Sequence, residues 1–266
     1  MQGINCVFSR AKPIVGVVHL LPLLGSPRQA SPLNEVRARA LADAEALIDN
    51  GIDAVIVENY GDAPFFPDCV EAHTVAVMAI IVNEHRERFP KIPIGVNVLR
   101  NDAKSALAIA AAANADFIRI NVHTGAMLTD QGVLQGKAYE TVRYRSFLGS
   151  NVKIFADVAV KHAAPIGQFD LASVAQDTYH RGLADALIVT GAGTGERTEL
   201  KQLKTVKDAV PHGKVFAGSG VAADYLAETL QCADGVIVGT SIKRDGVTTN
   251  EVDPVRVRAL IDARGS

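Results

Sequence analysis

Four short stretches of this chain share one grammar: NGIDAVIVEN, ANADFIRIN, RGLADALIVTG and QCADGVIVGTS. Each sets an aspartate, Asp53, Asp116, Asp185 or Asp234, directly ahead of a short, mostly apolar run. Most of these runs are unbroken rather than alternating, which is the pattern of a strand covered on both faces in a parallel sheet. An aspartate at that place suits the tight turn by which a helix ends and the chain re-enters the sheet.

Extended along the chain, the pattern predicts strands at Ile14–His19, Ala54–Asn59, Pro93–Val98, Asp116–Asn121, Val152–Val158, Ala186–Thr190, Lys214–Ala217 and Gly235–Gly239. Apolar residues at three- and four-residue spacing predict helices at Asn34–Asn50, Asp68–Phe89, Asp102–Ala113, Asp170–Arg181, Glu199–Val210 and Ala222–Leu230. A last helix runs from Pro254, suited to a first turn, to Ala263. Eight strand–helix repeats in 266 residues with no linker indicate one domain over residues 1–266, an α/β (β/α)₈ TIM barrel. A doubly wound open sheet is the alternative. Two connections are long, about 20–34 after the first strand and about 122–151 after the fourth, the second holding a helix from about Gln135 to Phe147. Both leave the C-terminal ends of strands, where barrels build their sites.

Composition narrows the function classes. Formal net charge is −2, with the two signs mixed along the chain, and Trp is absent. Neither a basic face nor a stacking platform for nucleic acid is expected. Cys6, Cys69 and Cys232 lie far apart and have no zinc spacing, as suits a reducing cytosol. No secretory signal is evident, and the apolar runs VAVMAIIV and ALAIAAAANA fall well short of a membrane span.

The strongest chemical signal lies after the seventh and eighth strands. Gly218-Ser219-Gly220 follows KVFA, and Gly239-Thr240-Ser241 follows GVIV. Glycines let a backbone approach an anion, and this pair of loops is the common phosphate seat of barrels. A short helix starting near Thr240 would add its dipole, and Lys243 would raise the local positive potential while Arg244 stays solvated. Tight turns alone are the competing account of these glycines. TGAGTGERTEL, after the sixth strand, lacks both nucleotide fingerprints. Gly193, Thr194 and Gly195 are read either as contacts beside the phosphate or as a plain turn, and Lys161 either as a group over the mouth or as a solvated one.

Strand alternation adds polar residues to the barrel interior. Arg119, Asn121 and His123 share one parity, as do Lys153, Phe155 and Asp157. Glu58, Asn59, Asn97 and His19 stand at or near the ends of their strands. Glu58, Asn97, Asn121 and Asp157 are candidate site residues, and His19 and His123 candidate acid–base groups. Each histidine has the alternative of a satisfied structural ring. A cation inside a barrel must be paired, so Arg119 or Lys153 is expected to meet Glu58 or Asp157 for the fold's sake. The histidines do not cluster and no metal centre is expected, although magnesium on Glu58 or Asp157 together with a substrate phosphate stays open. No Schiff-base lysine ends the sixth strand, and no nucleophile elbow occurs.

The stretches PIVGVVHLLPLLGSPR, VIVENYGDAPF, IPIGVNVLRNDAKSALAIA, FIRINVHTGAMLTDQG, ADVAVKHAAPIG, RGLADALIVTGAGTG and GVIVGTSIKRDG resemble the BtpA/SgcQ family over nearly the whole length. That resemblance implies a TIM barrel of the ribulose-phosphate-binding type. It implies two kinds of role: photosystem I biogenesis at the thylakoid surface, or metabolism of a phosphorylated sugar; a nucleoside-triphosphatase role ranks third. It carries over no catalytic residue. The expected partner is a small phosphorylated ligand, with photosystem I or the thylakoid surface implied by the resemblance alone. A homo-oligomer in the cytoplasm, at most peripheral on a membrane, is the expected state.

Overall fold

The computed structural model describes residues 7–160, 162–167, 169–191 and 197–264, so Lys161, Gly193, Thr194 and Gly195 lie outside the described residues. Eight parallel strands close into a barrel: β1 (Ile14–His19), β2 (Ala54–Glu58), β3 (Ile94–Asn97), β4 (Phe117–Ile120), β7 (Lys153–Ala159), β9 (Ala186–Val189), β10 (Lys214–Ala217) and β11 (Gly235–Val238). Their order around the barrel is β1-β11-β10-β9-β7-β4-β3-β2. The surrounding helices are α1 (Leu33–Ile48), α2 (Ala72–Arg88), α3 (Ala103–Ala112), α4 (Ala138–Phe147), α5 (Leu171–Gln176), α6 (Leu200–Ala209), α7 (Ala223–Cys232) and α8 (Pro254–Asp262). Each expected strand is present, with no end moved by more than one residue. Two helices differ more: α2 starts at Ala72 rather than Asp68, and α5 gives way at Asp177–Arg181 to a π turn.

Parity separates two cores. One face of the strands, including Val18, Val57, Val96 and Ile118, packs against the helices. The other, including Val15, Val17, Ile56, Phe117, Phe155 and Phe216, fills the barrel. Phe117 and Phe155 stack with centroids 4.5 Å apart, and Phe8 closes the bottom 5.8 to 6.1 Å from three interior rings. Gly95 makes room for this layer, since a Cβ there would lie 2.4 Å from the Phe117 ring.

The repeated aspartates have a defined mechanical role beyond punctuating turns. Each accepts an N–H from the first or second residue of the neighbouring strand: Asp53 from Ile14 at 2.7 Å, Asp116 from Ile94 at 2.8 Å, Asp185 from Ile154 and Asp234 from Val215, both at 2.9 Å. Each carboxylate is also paired with a cation, Arg264, Arg86, Arg145 and Lys207 respectively. The motif is thus a latch that satisfies the otherwise unpaired strand starts at the N-terminal end, the end that barrels devote to stability.

A second, three-stranded antiparallel sheet was not expected. It comprises β5 (Ala126–Thr129), β6 (Gly132–Gln135) and β8 (Ala163–Pro165), in the order β6-β5-β8. The long connection after β4 is therefore a hairpin followed by α4, where the sequence suggested a loop and a helix from Gln135. Leu134, Val122 and Val160 form a small core beneath this sheet. Among the described residues no helix is long and apolar enough to cross a membrane.

Buried histidines give the fold an acid limit. His85 and His123 are each 1% exposed, and burial pushes both rings below the ordinary histidine range despite their contacts with backbone carbonyls. The unfolded rings take up a proton near pH ~6.5, so the unfolded state binds more protons below that value. Stability is expected to fall as pH drops from 7.5 to 5.5. Denaturant melts of the chain and of His85→Phe check this: the variant should show the shallower loss.

Candidate active site at the barrel mouth

Register builds the first part of the site. His19 pairs with Glu58 across β1 and β2, and Glu58 with Asn97 across β2 and β3. Their parity matches that of the interior residues Val17 and Ile56, so the three side chains form a row one layer above the core. Asn97 Nδ2 donates to Glu58 Oε2 at 2.5 Å, and His19 Nε2 stands 3.6 Å from Glu58 Oε1. Glu58 is 4% exposed. The Tyr60 ring lies 4.9 Å from that of His19 and closes one side.

The second part comes from β4 and β7. Arg119 donates through Nε and Nη2 to the two carboxylate oxygens of Asp157, each at 3.0 Å, and Asn121 Nδ2 adds a third donor at 3.0 Å. Arg119 is therefore the cation that found a carboxylate in the interior, whereas Lys153 sits low and faces Asp185 at 3.6 Å. Burial opposes the guanidinium charge, but Asp157 and Glu58 outweigh it and hold Arg119 above its usual range. Three donors on Asp157 withdraw it from magnesium. Among the described residues no three His, Cys, Asp or Glu side chains gather as a metal set.

These groups floor a cavity of about 470 Å³. His19, Glu58, Arg119 and Asn121 line it from below, while Arg28, Arg100, Asp130, His162 and Thr249 contribute from the loops. One wall is fixed by its backbone: Gly61 N–H donates to Leu20 O at 3.1 Å, and Leu23 N–H to Asp62 Oδ1 at 2.8 Å. Asn59 accepts from Leu99 N–H at 2.7 Å, so its role is to tie the β2 and β3 loops together. A Cβ on Gly61 would fall 2.4 Å from Pro22 N, so glycine is what lets the loops after β1 and β2 touch.

The sequence expectations fare unequally. The structure brings His19, Glu58 and Asn97 together, and Asn121 with Asp157. His123 departs: alternation ends with β4, and its Nε2 turns to Gly182 O at 2.8 Å beside a separate surface groove between α4 and the π turn. Arg100 and Arg28 were not singled out. Arg100 lies off the inward parity of β3, and Arg28 sits in an irregular loop, so alternation carried no signal for either.

The paired glycine loops are also more occupied than expected. Ser219 Oγ accepts from Gly191 N–H at 2.7 Å, Ser241 Oγ donates to Val221 O at 2.6 Å, and Thr240 Oγ1 meets Thr248 Oγ1 at 3.0 Å. Ser219 and Ser241 therefore stitch neighbouring loops together, and Thr240 ties the loop after β11 to itself. Gly220 has φ +65°, where L side chains are strained. A Cβ on Gly218 would fall 2.4 Å from Ile188, and one on Gly239 would fall 2.8 Å from His19 Cε1. The turn Thr240–Ile242 is three residues long, too short to supply the helix dipole expected of it. Lys243 does not lend its charge to the mouth: it is fully buried and pairs with Asp43 at 2.9 Å. Arg244 is solvent-exposed beside Glu251, as anticipated.

The chain is 46% identical over 256 residues to the photosystem I biogenesis protein BtpA of Synechocystis sp., covering 96% of this chain and 89% of that one. It is also 46% identical, over 251 residues and 94% of both chains, to an uncharacterised protein of Thermococcus kodakarensis. Identity to the putative sgc region protein SgcQ of Escherichia coli is 35% over 265 residues, covering 98% of this chain and 97% of that one. Among solved structures it is similar to one described as native KDPGal (TM-score 0.59, 17% identity, 96% of both chains). It is also similar to phosphoribosyl anthranilate isomerase of Thermus thermophilus (TM-score 0.55, 13% identity, 94% of this chain and 97% of that one). At such identities these structures speak to the barrel fold alone. The BtpA family profile matches residues 10–265, and with these relatives it establishes that the chain belongs to the BtpA family.

Proposed function

We propose that the chain binds a small phosphorylated metabolite across the barrel mouth and moves a proton within it. The observation that carries this reading is how closely Gly239 packs on the His19 ring: a Cβ added at Gly239 would fall 2.8 Å from His19 Cε1. It sets the backbone of the glycine loop after β11 directly against the pair His19–Glu58, so a phosphate seated on that loop would present its adjoining carbons to an acid–base couple. Glu58 is anchored at Oε2 by Asn97 and keeps Oε1 towards His19. One of the two groups takes a proton from a substrate carbon or hydroxyl and the other returns one to a neighbouring atom, a step that needs no oxidant.

Thermal shift with inorganic phosphate, glycerol 3-phosphate and ribose 5-phosphate tests the binding half. A ligand at 100 times its dissociation constant is expected to add about 2.7 kcal/mol. Glu58→Gln should keep that response and lose exchange of substrate carbon-bound hydrogen with deuterated solvent. No stabilisation by any phosphate compound would sink the reading.

A role in photosystem I biogenesis is the second reading, favoured by the 46% identity to the Synechocystis protein. Equal identity to the Thermococcus protein means that overall similarity does not by itself single out this role. Deleting the gene in a photosynthetic host and finding unchanged photosystem I levels would refute it. The two readings are compatible, since a barrel that makes or senses a phosphorylated metabolite can serve an assembly pathway.

A further inference from the structure

The amide of Asn121 is held in one orientation. Its Nδ2 donates to Asp157 Oδ2 at 3.0 Å, and Arg119 clamps both oxygens of that carboxylate. Turning the amide over would set its oxygen against the carboxylate, acceptor against acceptor, so the observed orientation is the only favourable one. Asn121 is 2% exposed and lines the mouth cavity, and its Oδ1 meets no hydrogen-bond donor among the described residues. Buried acceptors are rarely left unmade in folded proteins, because the lost hydration is not recovered.

A ligand atom opposite Oδ1 must therefore be a donor. Glu58, on the same floor, is a second acceptor with one oxygen already taken by Asn97. A carbonyl or carboxylate on this part of the ligand would face like partners and be rejected. The lining sets Arg28, Arg100 and Arg119 against Glu58 and Asp130, an excess of positive charge that disfavours an ammonium, so a neutral hydroxyl is the donor that fits both the hydrogen bonding and the charge. We propose that Asn121 is the specificity-determining residue of the mouth, accepting a hydrogen bond from a ligand hydroxyl and so selecting a hydroxylated ligand over its deoxy analogue. Combined with the phosphate reading, on which the full substrate class rests, the ligand is a polyhydroxylated monophosphate.

The experiment is calorimetric titration with glycerol 3-phosphate, ribose 5-phosphate, n-propyl phosphate, free ribose and inorganic phosphate. The chain is compared with Asn121→Leu, or with Asn121→Ala should the leucine variant fail to fold. Arg119 keeps both bonds to Asp157 in either variant. The expected result is a preference of about tenfold for glycerol 3-phosphate over n-propyl phosphate. The variant should erase that preference while leaving inorganic phosphate and n-propyl phosphate affinities unchanged. A merely structural asparagine would weaken all ligands together, which would overturn the proposal. So would equal binding of the hydroxylated and plain phosphates by the unaltered chain. If no phosphate compound binds but free ribose does, and depends on Asn121, the phosphate reading falls and the selection by Asn121 stands. If nothing binds, both fall.

Discussion

Asp157→Ala is expected to destabilise the chain by about 3–5 kcal/mol, the cost of leaving one member of a buried ion pair behind. For a chain of this size that lowers the unfolding midpoint by roughly 10 °C. The reason lies in Arg119, which is 3% exposed and places two of its N–H donors on Asp157. A guanidinium does not shed its proton to escape burial, so the charge stays and stays unsatisfied. Thermal melts followed by circular dichroism measure the loss. A change under about 1 kcal/mol would mean that Arg119 had turned to Glu58 instead. The same variant releases the Asn121 amide, so hydroxyl selection at the mouth should vanish along with the stability.

The second large effect is at Asp43, and its pH dependence should differ. Lys243 Nζ lies 2.9 Å from Asp43 Oδ2, and Asp43 Oδ1 accepts Val252 N–H at 2.8 Å and Arg39 Nε at 3.1 Å. This knot joins α1 to the segment between β11 and α8, outside the residues lining the cavity. Burial already pulls Lys243 below the ordinary lysine range, with Asp43 pushing back. Asp43→Ala removes that support and should cost about 3–5 kcal/mol at pH 7. Unlike Arg119, however, a lysine escapes by giving up its proton. The folded variant then binds fewer protons than the unfolded chain, whose lysines titrate near pH ~10.4. Measured against the unaltered chain, its stability should recover as pH rises from 8 to 10, a relative gain absent from Asp157→Ala. Asp43→Leu combined with Lys243→Met should restore most of the loss at pH 7. A residue of about 1–3 kcal/mol should remain because Val252 N–H has lost its acceptor. No recovery at high pH would mean that the penalty comes from Arg39 or Val252 rather than from Lys243.

These two pairs show where local reading succeeds and where it stops. That a cation inside the barrel would be paired followed from the cost of burying charge, and Arg119 with Asp157 obeys it. Lys243 looked like part of an exposed cluster because it follows Thr240 and Ser241. It is buried because α1, some 200 positions earlier, carries Asp43 to it. Likewise the β5–β6 hairpin is steadied by β8, which pairs Leu128 with Ala164 across a gap filled by α4 and β7. Local periodicity carries no record of such a partner.

What the sequence determined by itself was the set of barrel strands, the parity of each and the end at which the inward polar residues gather. Burial on both faces of a parallel strand writes itself as an apolar run, and one polar residue on the inward parity marks the mouth. Glu58, Asn97, Asn121 and Asp157 were legible for that reason. Tertiary structure alone decided which of them touch, because strand register is a property of two strands and neither sequence stretch contains it. It also decided that His123 faces away, since alternation lapses where a strand ends, and that the serines and threonine of the glycine loops hold the loops together. The orientation of the Asn121 amide belongs to the same class: it is set by a carboxylate 36 residues away, and no local pattern encodes it.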